Sequence, residues 1–226
     1  MYPLNQLTKR FEVHRDPEKA RAMSKYMKNQ FPFFGIQAAE RRSIGRDFIK
    51  EAGLPPQEKR FEIIKKLWAM EEREYQLFGM EILDRFRKKL QPGDIEMYQW
   101  MITHKPWWDT VDYIATNLVG YYGTQFPADI SLIMERWLNS GHLWLQRSTL
   151  IYQLKYKQQT DLDLLSRHIM ALKEEKDFFI RKAIGWALRE HSKTSPGWVR
   201  EFVNRVPLAP LSTREALKWM QNKGLV

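Results

Sequence analysis

The sequence predicts an all-α protein, an α-solenoid of degenerate helical repeats. Apolar residues recur at helical spacing along nearly the whole chain, and no convincing strand interrupts them. Turn signals punctuate the periodic segments at short intervals. A weak internal repeat superposes Tyr75, Trp107, Trp144 and Phe179, at offsets of 32, 37 and 35 residues. Helix pairs at such a period stack into solenoids, because one pair cannot bury its own apolar face but successive pairs can. An irregular helical bundle is the competing architecture.

The predicted helices are Ala20–Phe31, Ala38–Ala52, Lys59–Trp68, Tyr75–Leu90, Asp94–Ile102 and Trp107–Tyr121, followed by Asp129–Leu138, Leu143–Lys155, Asp161–Lys173, Phe178–Glu190, Gly197–Asn204 and Thr213–Lys223. Breaks at Gly53-Leu-Pro-Pro56 and Gln91-Pro-Gly93 separate the early ones. Gly123-Thr-Gln-Phe-Pro127, Ser140-Gly141, Ser195-Pro-Gly197 and Pro207-Leu-Ala-Pro210 divide the rest. Ahead of Trp107, Pro106 suits a first helical turn, where a missing N–H costs nothing, and Thr103 suits the cap before it. Behind the aromatic starts, Gly79, Val111, Ser148 and Ala183 are small or modest side chains that allow close helix packing. The same register sets Ala216 and Trp219 opposite Ala183 and Trp186.

Composition narrows the function. The 226 residues carry no Ser/Gly-rich or Pro-rich linker and are read as one domain, 1–226. A hydrophobic content of 43% excludes wholesale disorder. No apolar run is long enough to span a bilayer, and the first residues lack a signal-peptide core, so a cytoplasmic protein without membrane contact is expected. Zero cysteines removes disulfides, thiolate metal sites and cysteine nucleophiles. The net charge of +10 points to a polyanionic partner. The excess is spread over the fold: residues 1–113 carry 21 Lys/Arg against 17 Asp/Glu, and 114–226 carry 16 against 10.

The chemistry concentrates around Thr103-His-Lys-Pro-Trp-Trp-Asp-Thr-Val-Asp-Tyr113. On a helix, Trp108 and Asp112 share one face, an indole beside a carboxylate. The competing reading packs Trp107 or Trp108 in the core and leaves Asp109 and Asp112 to water. Lys182, Trp186 and Arg189 fall at i, i+4 and i+7, a stripe of cation, indole and cation. Arg147 and Lys155 sit about two turns apart on the predicted Leu143–Lys155 helix. A positively charged groove with a few planar side chains is what duplex DNA requires. Against this, the five histidines form no metal-binding pair, and neither a nucleotide-binding glycine loop nor a Gly-x-Ser-x-Gly elbow is present. No metal and no cofactor are therefore expected.

Lys105-Pro-Trp-Trp-Asp-Thr-Val-Asp112, Leu143-Trp-Leu-Gln-Arg147 and Phe179-Ile-Arg-Lys-Ala-Ile-Gly-Trp-Ala-Leu-Arg189 together resemble the AlkD-type DNA alkylation repair glycosylases. The likeness extends to Ser24-Lys-Tyr-Met-Lys28 and Phe33-Phe-Gly-Ile-Gln37, and so covers nearly the whole chain. It implies a right-handed α-solenoid of HEAT-like repeats, C-shaped with a basic concave face that holds duplex DNA. It also implies release of 3-methyladenine and 7-methylguanine by a monomer, cytoplasmic and nucleoid-associated when bound. Asp112 then matches the catalytic carboxylate, Trp108 and Trp186 the indoles at the lesion, and Arg147 a basic contact beside it. Tyr26, Gln37, Lys155, Lys182 and Arg189 match contacts along the duplex, and the lesion is expected to stay stacked during excision.

Such chemistry is consistent with the residues. A purine alkylated at N3 or N7 is cationic and leaves without protonation, so one carboxylate can stabilise the oxocarbenium-like sugar and place a water. The alternative is a non-catalytic helical-repeat module that binds branched DNA or another polyanion. It has no use for Asp112 beside the indoles. A protein-interaction scaffold would call instead for an apolar groove in place of Lys182, Trp186 and Arg189.

Overall fold

In the computed structural model, which describes residues 2–226, every regular element is helical. The all-helical expectation holds. The chain divides into two compact units, one ending at Leu90 and one running from Gln91 to Val226.

The first unit contains α1 (Leu4–Val13), α2 (Pro17–Tyr26), α3 (Ala38–Ala52), α4 (Arg60–Ala69) and α5 (Arg73–Arg85). Helix α1 was not expected from the sequence, because only Leu7 and Phe11, one turn apart, point into the core. Asp16 accepts the N–H groups of Glu18 and Lys19 and Pro17 takes the first turn, so α2 starts earlier than predicted and ends at Tyr26. Phe11, Phe34, Tyr75 and Phe78 form an aromatic core with centroid spacings of 5.4–6.4 Å. Glu74 is fully buried and accepts the backbone N–H groups of Phe34, Gly35 and Ile36 at 3.0–3.1 Å. Burial pushes its carboxyl above the usual range, and those three donors oppose the shift. Gly35 is obligatory in this clamp: its φ is +93°, and an added Cβ would lie 2.2 Å from the Asp16 carbonyl oxygen.

The second unit opens with α6 (Asp94–Thr103) and α7 (Trp108–Tyr113). A π-helical stretch, Ile114–Val119, joins α7 without a break to α8 (Gly120–Gln125). There follow α9 (Pro127–Leu138), α10 (Leu143–Ile151), α11 (Leu162–Leu172), α12 (Phe178–Ser192), α13 (Pro196–Arg205) and α14 (Pro210–Asn222). Asp161 and Asp177 cap α11 and α12 through their side chains. Helices α7, α10, α12 and α14 pack in succession, each also flanked by its preceding helix or loop, which is the stacking of an α-solenoid.

The repeat register is visible in this stack. Trp107, Trp144 and Phe179 meet in one aromatic cluster, with centroids 4.8–5.8 Å apart. Val111, Ser148 and Ala183, one turn behind them, are fully buried. Ala216 is also fully buried, and Trp219 packs on the same core cluster. Helices α12 and α14 approach closely, and a Cβ at Gly185 would stand 2.5 Å from Cβ of Glu215.

Two buried histidines give this unit an acid sensitivity. His168 has its Nδ1 against the Thr149 carbonyl and an Nε2 with no hydrogen-bond partner, while His191 has neither ring nitrogen bonded. Burial holds both imidazoles below their ordinary value. The unfolded chain therefore binds protons that the fold refuses, and the stability is whole above about pH 6.5 and lost as pH falls through the folded values. Urea midpoints should be level between about pH 7 and 8 and decline below about 6.5. A midpoint unchanged down to about pH 5 would contradict this assignment.

Candidate active site and nucleic-acid interface

The approach to α7 departs from the sequence reading. Thr103 ends α6, its hydroxyl donating to the carbonyls of Gln99 and Trp100 at 3.0 and 3.1 Å, and does not cap α7. Pro106 precedes the helix, and the cap position belongs to Trp107 in an extended conformation. Lys105 makes the turn with a φ of 48°, a left-handed conformation uncommon for a residue with a Cβ. Trp108 thus becomes the first residue of α7, and Asp112 follows one turn later.

Asp112 is fixed from the neighbouring repeat. Nε of Arg147, on α10, donates to Oδ1 at 2.7 Å and Nη2 donates to Oδ2 at 2.8 Å, a bidentate pair. The third guanidinium nitrogen, Nη1, donates to the carbonyl of Phe179 on α12 at 2.5 Å. The side chains are 6% exposed for Arg147 and 16% for Asp112, so both charges are largely withdrawn from water. Burial pushes the Asp112 carboxyl above the ordinary aspartate range, and the guanidinium opposes that shift. Arg147, expected as a basic contact beside the lesion, is buried and paired with the carboxylate.

The π-helical stretch begins two residues after Asp112. Widened turns of this kind free backbone carbonyls and recur at functional sites. Here the Thr116 hydroxyl donates to the Asp112 carbonyl at 2.7 Å, and Nδ2 of Asn117 donates to the Tyr113 carbonyl at 2.9 Å. Nζ of Lys155 donates to Oδ1 of Asn117 at 2.5 Å. The expected Leu143–Lys155 helix ends at Ile151, so Lys155 occupies the following turn. It is tied to the Asp112 helix from there. Apolar periodicity does not reveal the π turn; the signal at its position is Thr116 and Asn117, two side chains that bond backbone carbonyls locally.

Trp186 lies half-buried on α12 against the core cluster, between Lys182 and Arg189. Both of these cations bind one carboxylate, which the sequence reading did not single out. Nζ of Lys182 is 2.9 Å from Oε1 of Glu215, and Nη1 of Arg189 donates to Oε2 at 2.7 Å. Tyr26 closes α2 and Gln37 precedes α3, both exposed in the first unit. Phe33, Phe34 and Ile36 beside Gln37 are core residues. Among the described residues, no group of three or more His, Cys, Asp or Glu side chains is placed to hold a metal ion, and no helix is long and apolar enough to cross a membrane.

A helical stack with a carboxylate, indoles and cations on successive repeats defines a class, and comparison with known proteins places the chain in it. The family model described as DNA alkylation repair enzyme matches residues 7–220. The chain belongs to that family. A solved structure described as a predicted DNA alkylation repair enzyme from Enterococcus faecalis is similar, with 33% identity, a TM-score of 0.86, and coverage of 92% of this chain and 97% of that one. No curated protein matches the sequence.

Removing the guanidinium strands a buried carboxylate. Arg147→Ala should cost about 3 kcal/mol in denaturant unfolding, and adding Asp112→Asn in the same chain should recover part of that loss. Strictly additive losses would show that the two side chains are not coupled in solution.

Proposed function

We propose that the protein is a monofunctional DNA glycosylase that hydrolyses the N-glycosidic bond of cationic N3- and N7-alkylated purines in duplex DNA. The observation that carries this reading is Asp112, a carboxylate held in bidentate fashion by Arg147 one helical turn from the Trp108 indole. Family membership supplies the context of alkylation repair. A protein that only bound a polyanion would gain nothing from a carboxylate so placed.

In the reaction, the C1′–N bond breaks and its electron pair passes to the cationic base, which leaves neutral. The positive charge moves to the deoxyribose as an oxocarbenium-like sugar. Ionised Asp112 stabilises that charge, orients the water whose oxygen adds to C1′, and accepts the water's proton. Arg147 keeps Asp112 ionised and aimed, a positioning role. Trp108 and Trp186 offer π faces to the sugar cation, each contact contributing about 0.5–2 kcal/mol. Lys155, Lys182 and Arg189 take phosphates in this reading, and Tyr26 and Gln37 contact the duplex through the first unit. With indoles flanking the sugar, C1′ is attacked while the base stays in the stack.

Asp112→Asn should abolish release of 7-methylguanine while affinity for an abasic-site duplex stays equal or rises, because a negative charge facing phosphates is lost. Full activity in this variant would sink the mechanism. A melting curve separates lost chemistry from lost folding. Since burial raises the Asp112 carboxyl, the acid limb of the rate should lie above the ordinary aspartate value of about 3.9, activity falling as pH drops through it.

The lesion spectrum tests the same point from the substrate side. No general acid is assigned, so 7-methylguanine and 3-methyladenine should be released while hypoxanthine, uracil and ethenoadenine stay in place. Bulky cationic adducts should also be excised, because a base that stays stacked enters no pocket that would limit its size. Efficient release of a neutral base would require an acid that this mechanism lacks.

A further inference from the structure

The cations flanking Trp186 are not independent side chains. Lys182 and Arg189 lie seven residues apart on α12, about 10 Å along the axis, and both end on the carboxylate of Glu215 from α14. Glu215 is 9% exposed, so it is an internal group rather than a surface acid. Its placement depends on Gly185, which lies between the two cations and adjoins Trp186. Any Cβ there would meet Cβ of Glu215 at 2.5 Å and the Ser212 carbonyl oxygen at 2.8 Å. The cations themselves keep side-chain exposures of 36% and 26%, and each has further N–H donors beyond the one given to Glu215.

We propose that Glu215 is a positioning residue for excision: it clamps Lys182 and Arg189 on either side of Trp186, so that the phosphates they bind are set in register with that indole. This rests on the glycosylase reading. A lysine and an arginine left free would each sample many rotamers and bind phosphates anywhere within reach. Anchored to a common buried acid, they present their remaining donors from fixed points, at the cost of one unit of local charge. Contact with Lys182 and then the charge of Arg189 hold the Glu215 carboxyl below the ordinary glutamate range, so the clamp is ionised at neutral pH. The device trades electrostatic affinity for geometry.

The test uses the full chain with Glu215→Gln, which keeps the shape without the charge, and Glu215→Asp, which keeps the charge but falls one methylene short of spanning both cations. Affinity for an unmodified duplex is measured over a salt series, and 7-methylguanine release is measured in single turnover with protein saturating. The Gln variant should bind the unmodified duplex at least as tightly at low salt, with a log–log salt slope steeper by about 1. Both variants should excise about tenfold more slowly at saturation, since misplacement lowers the rate of the bound complex. A purely structural role would instead lower the melting temperature and leave both the slope and the saturated rate of the folded protein unchanged, which would overturn the proposal.

If Glu215→Gln does not fold, the Asp variant in a Lys182→Gln, Arg189→Gln background decides the matter. There the change to Asp should slow excision no further, and additional slowing would mean that Glu215 does not act through these cations. The two readings fail separately. A wild-type protein that releases no base overturns the glycosylase reading, whereas an unchanged salt slope in Glu215→Gln overturns the clamp.

Discussion

The bidentate pair between Asp112 and Arg147 is the constraint on which the site depends. Withdrawing two charges from water costs several kcal/mol per ion, and only close geometry with further hydrogen bonds offsets it. Arg147 meets that demand with all three nitrogens, two directed at Asp112 on α7 and one at the Phe179 carbonyl on α12. One side chain on α10 thereby ties together three successive helices of the stack, α7, α10 and α12. The carboxylate is placed by three repeats at once, which makes its position far less mobile than a side chain held by its own helix alone.

The same three helices are joined again at their starts. Trp107, Trp144 and Phe179 pack as one aromatic cluster, and Arg147 lies with its Cζ 5.9 Å from the Phe179 ring centroid. Core and site therefore share a register. The offsets that align the aromatic starts also bring Arg147, three residues past Trp144, level with Asp112, five residues past Trp107. An insertion within either repeat would break the cluster and the ion pair together, so packing enforces the geometry that the proposed chemistry uses.

The elements most legible in the sequence were those set by apolar periodicity. Helices α3, α6, α9 and α11 fall within a few residues of their expected bounds, and the aromatic repeat found three residues that meet in space. Trp108 and Asp112 on one helix were equally readable, because an i to i+4 relation is local. What stayed hidden depends on partners distant in the chain or on backbone detail. The bidentate geometry by which Arg147 holds Asp112 spans 35 residues, and the pairing of Arg189 with Glu215 spans 26. A lone Glu215 on an amphipathic helix reads as a solvated charge until α14 is seated at Gly185. The π turn leaves no hydrophobic signature, and α1 shows only two buried residues, too few for a period.

These pairings change what the net charge of +10 means. Counting cations suggests a strongly positive surface, yet of Arg147, Lys155, Lys182 and Arg189, three are matched to internal carboxylates and the fourth to an amide. Four cations against two carboxylates leave a modest local excess where the chemistry is proposed. In the proposed reaction the carboxylate stays ionised beside phosphates, and the buried guanidinium of Arg147 is the counter-charge that favours this. Cations bound to internal acids keep their direction but lose part of their field, so in the proposed reading their contribution shifts from attracting the duplex to setting where it rests. The net positive charge of the rest of the chain can then supply sequence-independent attraction, and the proposed site can be built for position.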